Sequence, residues 1–341
     1  MGQGRQRQCR RPDRPAARRL PRPGQASERL SPAVRHNSPY QESIMDVTET
    51  MMGKGREAID LIVDPQGFTE NTVGSKTFDD PEFGPGAVVG TGLLNGQTCT
   101  IIASDGNAFN EKFPVVYAGI IGMEEGYKMA QAVYASLEAD ADKPIAQKRP
   151  LVLIVDTPGN GPGKTEEIFG MNKATGAYQL ALAEARLAGH PIVAMVIGRA
   201  ISGAFLCHGL QADNILSLDA NFGTMIHVMP LTSVSRIIRK DLETLQELSK
   251  GNPVFAAGPR FFFALGGVEE LVTAIDGMRP AIIAHIESIR QAKLAGKQDS
   301  LGPWGRGALG AERGGRVVRP ELIALMNAEF AAVASQYAPA R

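Results

Sequence analysis

The stretch that decides the fold is Pro191–Ala204, which reads PIVAMVIGRAISGA. Its first half, Pro191–Ile197, is an unbroken apolar run, typical of a strand that is buried on both faces of a parallel sheet. The second half, Gly198–Ala204, is a turn of small residues, and a helix is predicted directly after it over Gly203–Leu210. The chain therefore predicts a buried strand, a glycine-rich turn and a helix in immediate succession.

An earlier segment repeats this arrangement. Leu151–Val155 is a second apolar run, followed by the loop Asp156–Gly163 (DTPGNGPG) and a predicted helix over Ala174–Leu187. Because the carboxyl ends of parallel strands meet at one edge of a sheet, the two turns should lie close together.

Further elements extend this pattern in both directions along the chain. Val88–Leu94 and Thr98–Ala103 are rich in β-formers, and the Asn95-Gly96 pair between them predicts a two-residue hairpin. The remaining predicted elements are helices at Arg56–Val63 and Met123–Leu137, strands at Asn214–Leu218 and Thr224–Val228, a helical stretch from Thr232 onward that includes Ile282–Ala295, a loop at Gly302–Arg316 and a last helix near Pro320–Gln336. Repeated strand–helix alternation predicts an α/β fold with right-handed crossovers.

Composition excludes several classes of protein. Of 341 residues, 43% are hydrophobic, which is enough for a packed core, and no run approaches the ~18 apolar residues of a membrane helix. Three cysteines are too few and too scattered for a disulfide framework or a zinc site, so a reduced, cytoplasmic protein is expected. The 36 basic and 36 acidic residues balance, which argues against nucleic acid as a main partner.

The balanced charge hides an uneven distribution. Residues 1–44 contain ten arginines and three acidic residues, a net +7, whereas the rest of the chain carries −7. The basic segment is rich in proline and poor in large apolar residues, so we expect a disordered extension, with Met45 as a candidate functional start. A transit peptide and a basic nucleic-acid-binding arm are the two other interpretations.

Two familiar nucleotide and hydrolase motifs are incomplete. The segment Pro158–Thr165 approaches a phosphate-binding loop, but Pro158 replaces its first glycine and Pro162 removes another N–H donor. Ser202 follows a predicted strand, yet the flanking residues Ala200 and Ala204 are not the glycines of a hydrolase nucleophile elbow. We therefore expect Ser202 to cap the next helix.

What remains is the pair of glycine-rich turns. Small residues let a ligand approach backbone N–H groups, and a helix N-terminus favours negative charge. Such donors stabilise an enolate or a tetrahedral oxyanion, although two tight structural turns would look the same in sequence.

Several segments resemble known families. Pro191–Ala204, Asp213–Leu218 and Phe222-Gly223 resemble the crotonase (ClpP-like) superfamily, while Val155–Gly159 and Gly122–Lys128 resemble the carboxyltransferase alpha subunit of acetyl-CoA carboxylase. More narrowly, three further segments resemble the gamma subunit of biotin-independent malonate decarboxylase; they are Ser202–Ala212, Pro253–Gly258 and Asn107–Pro114. The resemblance implies a crotonase fold of stacked ββα spiral units with C-terminal helices, in which residues 45–300 form the body, 301–341 a Gly/Arg loop and a last helix, and 1–44 an extension.

The resemblance also implies a reaction and its partners. A malonyl group, carried as a thioester on an acyl carrier protein (the delta subunit) that bears a phosphoribosyl-dephospho-CoA arm, would lose CO2 and leave an acetyl thioester. No cofactor, metal or biotin is expected on this chain. The expected partners are a homologous beta subunit, which would share the active site, and an alpha subunit that transfers acyl groups.

The expected site residues lie on the two turns and on the strand that follows them. Gly203, Gly159 and Ala204 are expected at the oxyanion, with Gly203 and Gly159 as the N–H donors, because Pro158 can donate nothing. Decarboxylation creates its own carbanion equivalent, and the positions where related enzymes carry carboxylates are occupied here by apolar residues and a histidine. His227 is therefore the first candidate proton donor and His208 the second, with a structural role as the alternative for each. The expected substrate-binding residues are Gly161, Gly198, Arg199, Ser202 and Met229.

Two other functions stay open at this point. One is a carboxyltransferase subunit that moves CO2 from a malonyl or acyl thioester to biotin. The other is a binding subunit whose turns only build an interface.

Overall fold

The computed structural model describes residues 49–161, 163–229, 231–249 and 257–337. All of them belong to one compact unit, Tyr40–Arg341. The predicted extension over residues 1–44 and the candidate start at Met45 lie outside the described residues, and the division at residue 300 stays a prediction.

Strands and helices alternate along most of the described chain. The strands are β1 Phe68–Glu70, β2 Thr72–Val73, β3 Lys76–Thr77, β4 Ala87–Leu94, β5 Gln97–Ser104, β6 Leu151–Thr157, β7 Ile192–Ile201, β8 Asn214–Leu218, β9 Met225–His227 and β10 Glu270–Val272. The α-helices are α1 Gly55–Ile62, α2 Met123–Ala139, α3 Lys164–Phe169, α4 Met171–Leu187, α5 Ser202–Cys207, α6 Leu231–Ile238, α7 Leu242–Ser249, α8 Pro259–Ala264, α9 Met278–Leu294, α10 Gly302–Glu312 and α11 Arg319–Val333.

The main sheet is mixed and has the order β1-β4-β5-β6-β7-β8-β10, with β9 paired to β7. The β1–β4 and β4–β5 pairs are antiparallel, and the others are parallel. This arrangement confirms the predicted α/β class, whereas the stacked ββα spiral stays a prediction.

The hairpin between β4 and β5 has the predicted turn. Leu94 pairs with Gln97, which leaves two residues in the loop. Asn95 and Gly96 both have positive φ, 52° and 70°, as a type I′ turn requires. The carboxylate of Asp64 accepts both of their N–H groups, at 3.0 and 2.8 Å.

The core lies on both faces of the sheet. Every residue of β6 is buried. Alternate residues of this strand pack with opposite clusters, Leu153 with the side chains of α2 and α4, and Ile154 with those of α1 and α9. The predicted burial on both faces is therefore confirmed, and no helix in the described part of the chain is long and apolar enough to cross a membrane.

Two predictions in the C-terminal third are wrong. The helical stretch expected after Thr232 is interrupted by β10, which pairs in parallel with β8 and exists because β8 offers an open edge. The loop expected over Gly302–Arg316 is largely helix α10. Its glycines are needed because the α10 backbone lies against neighbouring backbone, where a Cβ on Gly310 would collide with the carbonyl of Leu265.

Candidate active site

The two glycine-rich turns lie side by side at the carboxyl ends of β6 and β7. These strands pair in parallel, and Thr157 lies opposite Ala200 after a bulge in β7, where the four-residue step from Val196 to Ala200 matches two residues of β6. The side chain of Asn160 approaches Gly203 so closely that a Cβ on Gly203 would lie 2.7 Å from Asn160 Oδ1. The two turns are therefore in contact, as predicted. The contact also leaves little room for a side chain larger than hydrogen at residue 203.

A buried ion pair holds the turns together. The carboxylate of Asp156 accepts four hydrogen bonds, from the N–H groups of Gly53 (2.6 Å) and Arg199 (2.7 Å) and from Arg199 Nε and Nη2 (both 2.9 Å). Arg199 Nη2 also donates to the carbonyl of Ala118 at 2.9 Å. A Cβ on Gly198 would lie 2.5 Å from Asp156 Oδ1. Arg199 and Gly198 therefore position the backbone of the two turns, and their assignment as substrate-binding residues stays a prediction.

Two N–H groups of the first turn donate to acceptors within the chain. The N–H of Gly161 donates to the carbonyl of Ile121 at 3.0 Å, and the Ile121 N–H donates to the Gly159 carbonyl at 3.1 Å. The N–H of Gly161 is therefore engaged within the chain, and the role of Gly161 in substrate binding stays a prediction. The N–H of Gly159 makes only a long hydrogen bond, 3.3 Å, to Thr157 Oγ1. The φ of Gly159 is +144°, and the space where a Cβ would stand is open, so a ligand can approach this amide.

The second turn leaves donors free. Helix α5 begins at Ser202, which has a φ of +56° and makes no side-chain cap hydrogen bond. The expected capping role of Ser202 is therefore wrong. A positive φ at a non-glycine residue costs about 1–3 kcal/mol and often marks a functional position. Gly203 and Ala204 occupy the first turn of α5, where backbone N–H groups lack an acceptor within the helix.

His227 lies beside this turn. It ends β9, which pairs with β7 so that His227 is opposite Ile201, the residue before Ser202. Its Nδ1 atom is buried and has no hydrogen-bond partner among the described residues. Burial lowers the pKa of His227 below its ordinary value of 6.5, so the ring is neutral at pH 7. A neutral, unpartnered imidazole at this place can accept or deliver a proton.

His208 has a different environment. Its Nε2–H donates to the carbonyl of Ile154 at 2.9 Å, which leaves Nδ1 to accept the hydroxyl proton of Tyr178 at 2.9 Å. The ring is fully buried, and burial lowers its pKa to about 4. Both nitrogen atoms of His208 thus make hydrogen bonds within the core, as a structural histidine would, and its role as second candidate proton donor stays a prediction.

Two polar side chains near the turns were not selected from the sequence. The amide of Asn160 takes part in none of the hydrogen bonds found among the described residues, although it lies against Gly203. Behind the first turn, the buried carboxyl of Glu125 accepts long hydrogen bonds from Gly86 N–H and Asn110 Nδ2, and its Oε2 has no partner in the described chain. Burial raises the pKa of Glu125. The signal for Asn160 in the sequence was a polar residue between the two glycines of GNG, in a turn that follows a buried strand.

Exposed apolar side chains border the same edge of the sheet. Met229, the last of the predicted substrate-binding residues, follows β9 and is 39% exposed, while Val228 is 74% exposed. Leu206 on α5 is 51% exposed. Within the described residues, no group of three or more His, Cys, Asp or Glu side chains could hold a metal ion. The site therefore offers backbone donors, an amide and an imidazole next to an apolar rim.

Comparison with known proteins places this geometry in a family. The model of the malonate decarboxylase gamma subunit matches residues 117–330. The malonyl-S-ACP:biotin-protein carboxyltransferase MADD of Malonomonas rubra is 69% identical over 288 residues, which are 84% of this chain and 99% of that protein.

Solved structures agree with this match. A Pseudomonas malonate decarboxylase hetero-tetramer in complex with coenzyme A contains a chain that superposes with a TM-score of 0.60 at 27% identity, over 80% of this chain and 99% of that one. A chain of the Pseudomonas MdcD-MdcE hetero-dimer superposes with a TM-score of 0.55 at 29% identity, over 74% and 96% of the two chains. The sequence and structural matches cover the two turns and the body around them, and this chain belongs to the malonate decarboxylase gamma subunit family.

Proposed function

We propose that this chain is one subunit of an enzyme that removes the carboxyl group from a malonyl thioester on an acyl carrier protein and passes it to biotin on a separate carrier protein. The observation that carries the proposal is the 69% identity, over nearly the whole length of that protein, to a malonyl-S-ACP:biotin-protein carboxyltransferase. The sequence alone favoured decarboxylation without biotin over carboxyl transfer to biotin. The similarity to this relative supports carboxyl transfer as the first candidate.

The turns supply the electrostatic part of the reaction. When the bond to the carboxyl group breaks, the electron pair delocalises onto the thioester oxygen and forms an enolate. The N–H of Gly203 is the principal donor to that oxygen, and the N–H of Gly159 is the second. Asn160 Nδ2 lies close enough to Gly203 to contribute a third donor. Donors of this type each lower the barrier by about 2.7–4 kcal/mol.

One proton completes the exchange. The enolate carbon must gain a proton, and the acceptor nitrogen of biotin must lose one before it takes up the carboxyl group. The neutral imidazole of His227 is placed to pass this proton between them, since its Nδ1 has no partner among the described residues. The apolar rim of Met229 and Val228 would disfavour the charged carboxylate and so assist its departure.

The partners follow from the related complexes. We propose that a beta subunit of the same fold binds beside the turns, by analogy with the pairing of MdcD and MdcE in the Pseudomonas hetero-dimer. An acyl carrier protein with a phosphoribosyl-dephospho-CoA arm would deliver the thioester, and an alpha subunit would load it. The crotonase-type stacking of ββα units belongs to the same proposal.

Direct decarboxylation is the second candidate. It is supported by the family model and by the Pseudomonas malonate decarboxylase structures. In this reaction the enolate is protonated by solvent or His227, CO2 leaves, and the two turns keep their roles.

A labelling experiment separates the two reactions. The chain is purified with its beta subunit and given malonyl-S-acyl carrier protein labelled in the free carboxyl group, with and without the biotin carrier protein. We expect label on the carrier protein, measured at alkaline pH, and loss of that label when avidin is added. Release of labelled CO2 at the same rate without the carrier, unaffected by avidin, would contradict carboxyl transfer and support direct decarboxylation.

A further inference from the structure

A second polar feature lies at the opposite edge of the sheet. A pocket of about 300 Å³ opens at the amino ends of β5 and β6. The side chains that matter in its wall are Lys143, Lys148, Arg149, Arg290, Gln97 and Thr98. Because β6 has seven residues at about 3.3 Å each, the pocket is about 20 Å from the turn at the other end of that strand.

Three of the four cations are buried. Lys148, Arg149 and Arg290 are only 7–8% exposed, and Lys143 stands at the rim. Burial of a cation is costly unless it is paired, so each of these groups should have a hydrogen-bond acceptor or a carboxylate beside it. Their partners are mainly backbone carbonyl oxygens rather than carboxylates.

The contacts can be followed group by group. Lys148 Nζ donates to the carbonyls of Asp140 (2.8 Å) and Ala141 (3.3 Å), just beyond the carboxyl end of α2. Arg290 Nη1 donates to the carbonyls of Ala146 and Lys148. The Asp140 carboxylate accepts from Arg149 Nε and Nη2 at 3.1 and 2.9 Å.

The acids do not balance these cations. Asp140 is shared between Arg149 and Lys143, whose Nζ lies 2.9 Å from Oδ1. Glu287 is 3.8 Å from Arg290 and its side chain is 60% exposed. The carboxyl end of α2 adds about half a negative charge. The pocket therefore stays positive, and Nη1 of Arg149 and Nη2 of Arg290 enter none of the hydrogen bonds found among the described residues.

We propose that this pocket binds a small doubly charged oxyanion, a phosphate or dicarboxylate group, at a site separate from the two glycine-rich turns. Guanidinium groups match the oxygen spacing of both anions, and Lys143 at the rim adds a further positive charge beside its partner Asp140. Gln97 and Thr98 supply neutral hydrogen-bonding groups in the same wall. The bound anion would connect the end of α2, the start of β6 and helix α9.

The test uses inorganic phosphate as the probe. The full-length chain is titrated with sodium phosphate by calorimetry, with sodium chloride at equal ionic strength as the reference. We expect one phosphate per chain and a rise in the melting temperature that chloride does not produce.

A matched pair of variants decides whether the pocket is responsible. Lys143→Gln removes the rim cation and its ion pair with Asp140, while Arg149 keeps its own hydrogen bonds to Asp140, and we expect phosphate affinity to fall about tenfold. Lys297→Gln removes an exposed lysine outside the pocket and should leave affinity unchanged. Arg290→Gln should abolish binding if the variant folds, but Lys143→Gln carries the test by itself. Absence of phosphate binding to the wild-type chain, or equal affinity in the Lys143 and Lys297 variants, would overturn the proposal.

Discussion

The two glycine-rich turns have similar sequences and different states of hydrogen bonding. In the turn after β6, Gly161 donates to Ile121 and Gly159 makes a long bond to Thr157, so the N–H groups of both glycines already have an acceptor within the chain. In the second turn, Arg199 at the end of β7 is bound to Asp156, while Gly203 lies in the first turn of α5, where the N–H groups lack an internal acceptor. Glycine content alone therefore does not locate an oxyanion site, because the decisive property is which amides are still free.

Removing the free amide should have the largest effect. Gly203→Pro deletes the N–H and also adds a Cβ that would lie 2.7 Å from Asn160 Oδ1, so its effect is read against Gly203→Ala, which adds the same Cβ and keeps the N–H. We expect turnover by the chain with its beta subunit to fall by about 10²–10³, which is the cost of one oxyanion donor.

The first turn supplies the control for this variant. Gly161→Ala keeps its N–H, and the new Cβ would lie 3.4 Å from Met171 and Val116, which is ordinary contact. We expect an effect below about 1 kcal/mol on the activation free energy. If Gly203→Pro and Gly161→Ala lose activity equally, the two turns do not differ in the availability of their N–H groups to substrate.

Breaking the ion pair that joins the turns should come next. Arg199→Gln leaves the buried Asp156 carboxylate with two backbone donors only, those of Gly53 and residue 199 itself. We expect the free energy of unfolding in urea to fall by about 3 kcal/mol, the lower end for a broken buried pair. An unchanged urea midpoint would show that the pair does not hold the turns.

His208, which directly follows α5, should make the free energy of unfolding depend on pH in the acid range. The pKa of His208 is lowered from 6.5 to about 4, so between these values the unfolded chain binds a proton that the folded chain does not. The neutral ring contributes its full stability above pH 6.5, and up to about 3 kcal/mol is lost as the pH falls to 4. We expect the free energy of unfolding to change less with pH in this window in His208→Gln than in the wild type. Because the variant is less stable at every pH, each protein is compared with its own value at pH 7.5. An identical pH dependence in the variant and the wild type would contradict the assignment of this loss of stability to His208.

The histidine beside Gly203 should affect rate rather than stability. We expect His227→Gln to reduce turnover by about 10², the lower end for general acid–base catalysis, with little change in unfolding. Since burial lowers the pKa of His227, wild-type activity that needs the neutral ring should persist somewhat below pH 6.5 and fall at lower pH. A normal rate in the variant would exclude proton transfer by this residue.

The sequence predicted those parts of the fold that local pattern determines. The Asn95-Gly96 turn and the buried strands β6 and β7 follow from turn chemistry and from unbroken apolar runs. Strand β10 was missed because three residues gain their pairing only from the free edge of β8. Helix α10 was missed because its glycines lower helix propensity, and close packing against Leu265 outweighs that cost.

The site was predictable in outline for a similar reason. Strand order brings Gly203 and His227 together, and register alone indicates it. The role of Arg199 was not predictable, because its partner Asp156 is 43 residues away and Arg199 lies in a bulge of β7. The positive φ of Ser202 likewise follows from the junction of β7 with α5 and has no signature in the local sequence.

The hydrogen bond from Gly53 to Asp156 has a consequence for the order of folding. It closes a loop of 103 residues, at an entropic cost of about 4 kcal/mol for a flexible chain. Contacts of such long range form slowly and late, after the local hairpin and helices. We therefore expect the amino-terminal segment to dock onto an almost complete sheet, so that a chain emerging from the ribosome acquires its catalytic geometry in one of the last steps of folding.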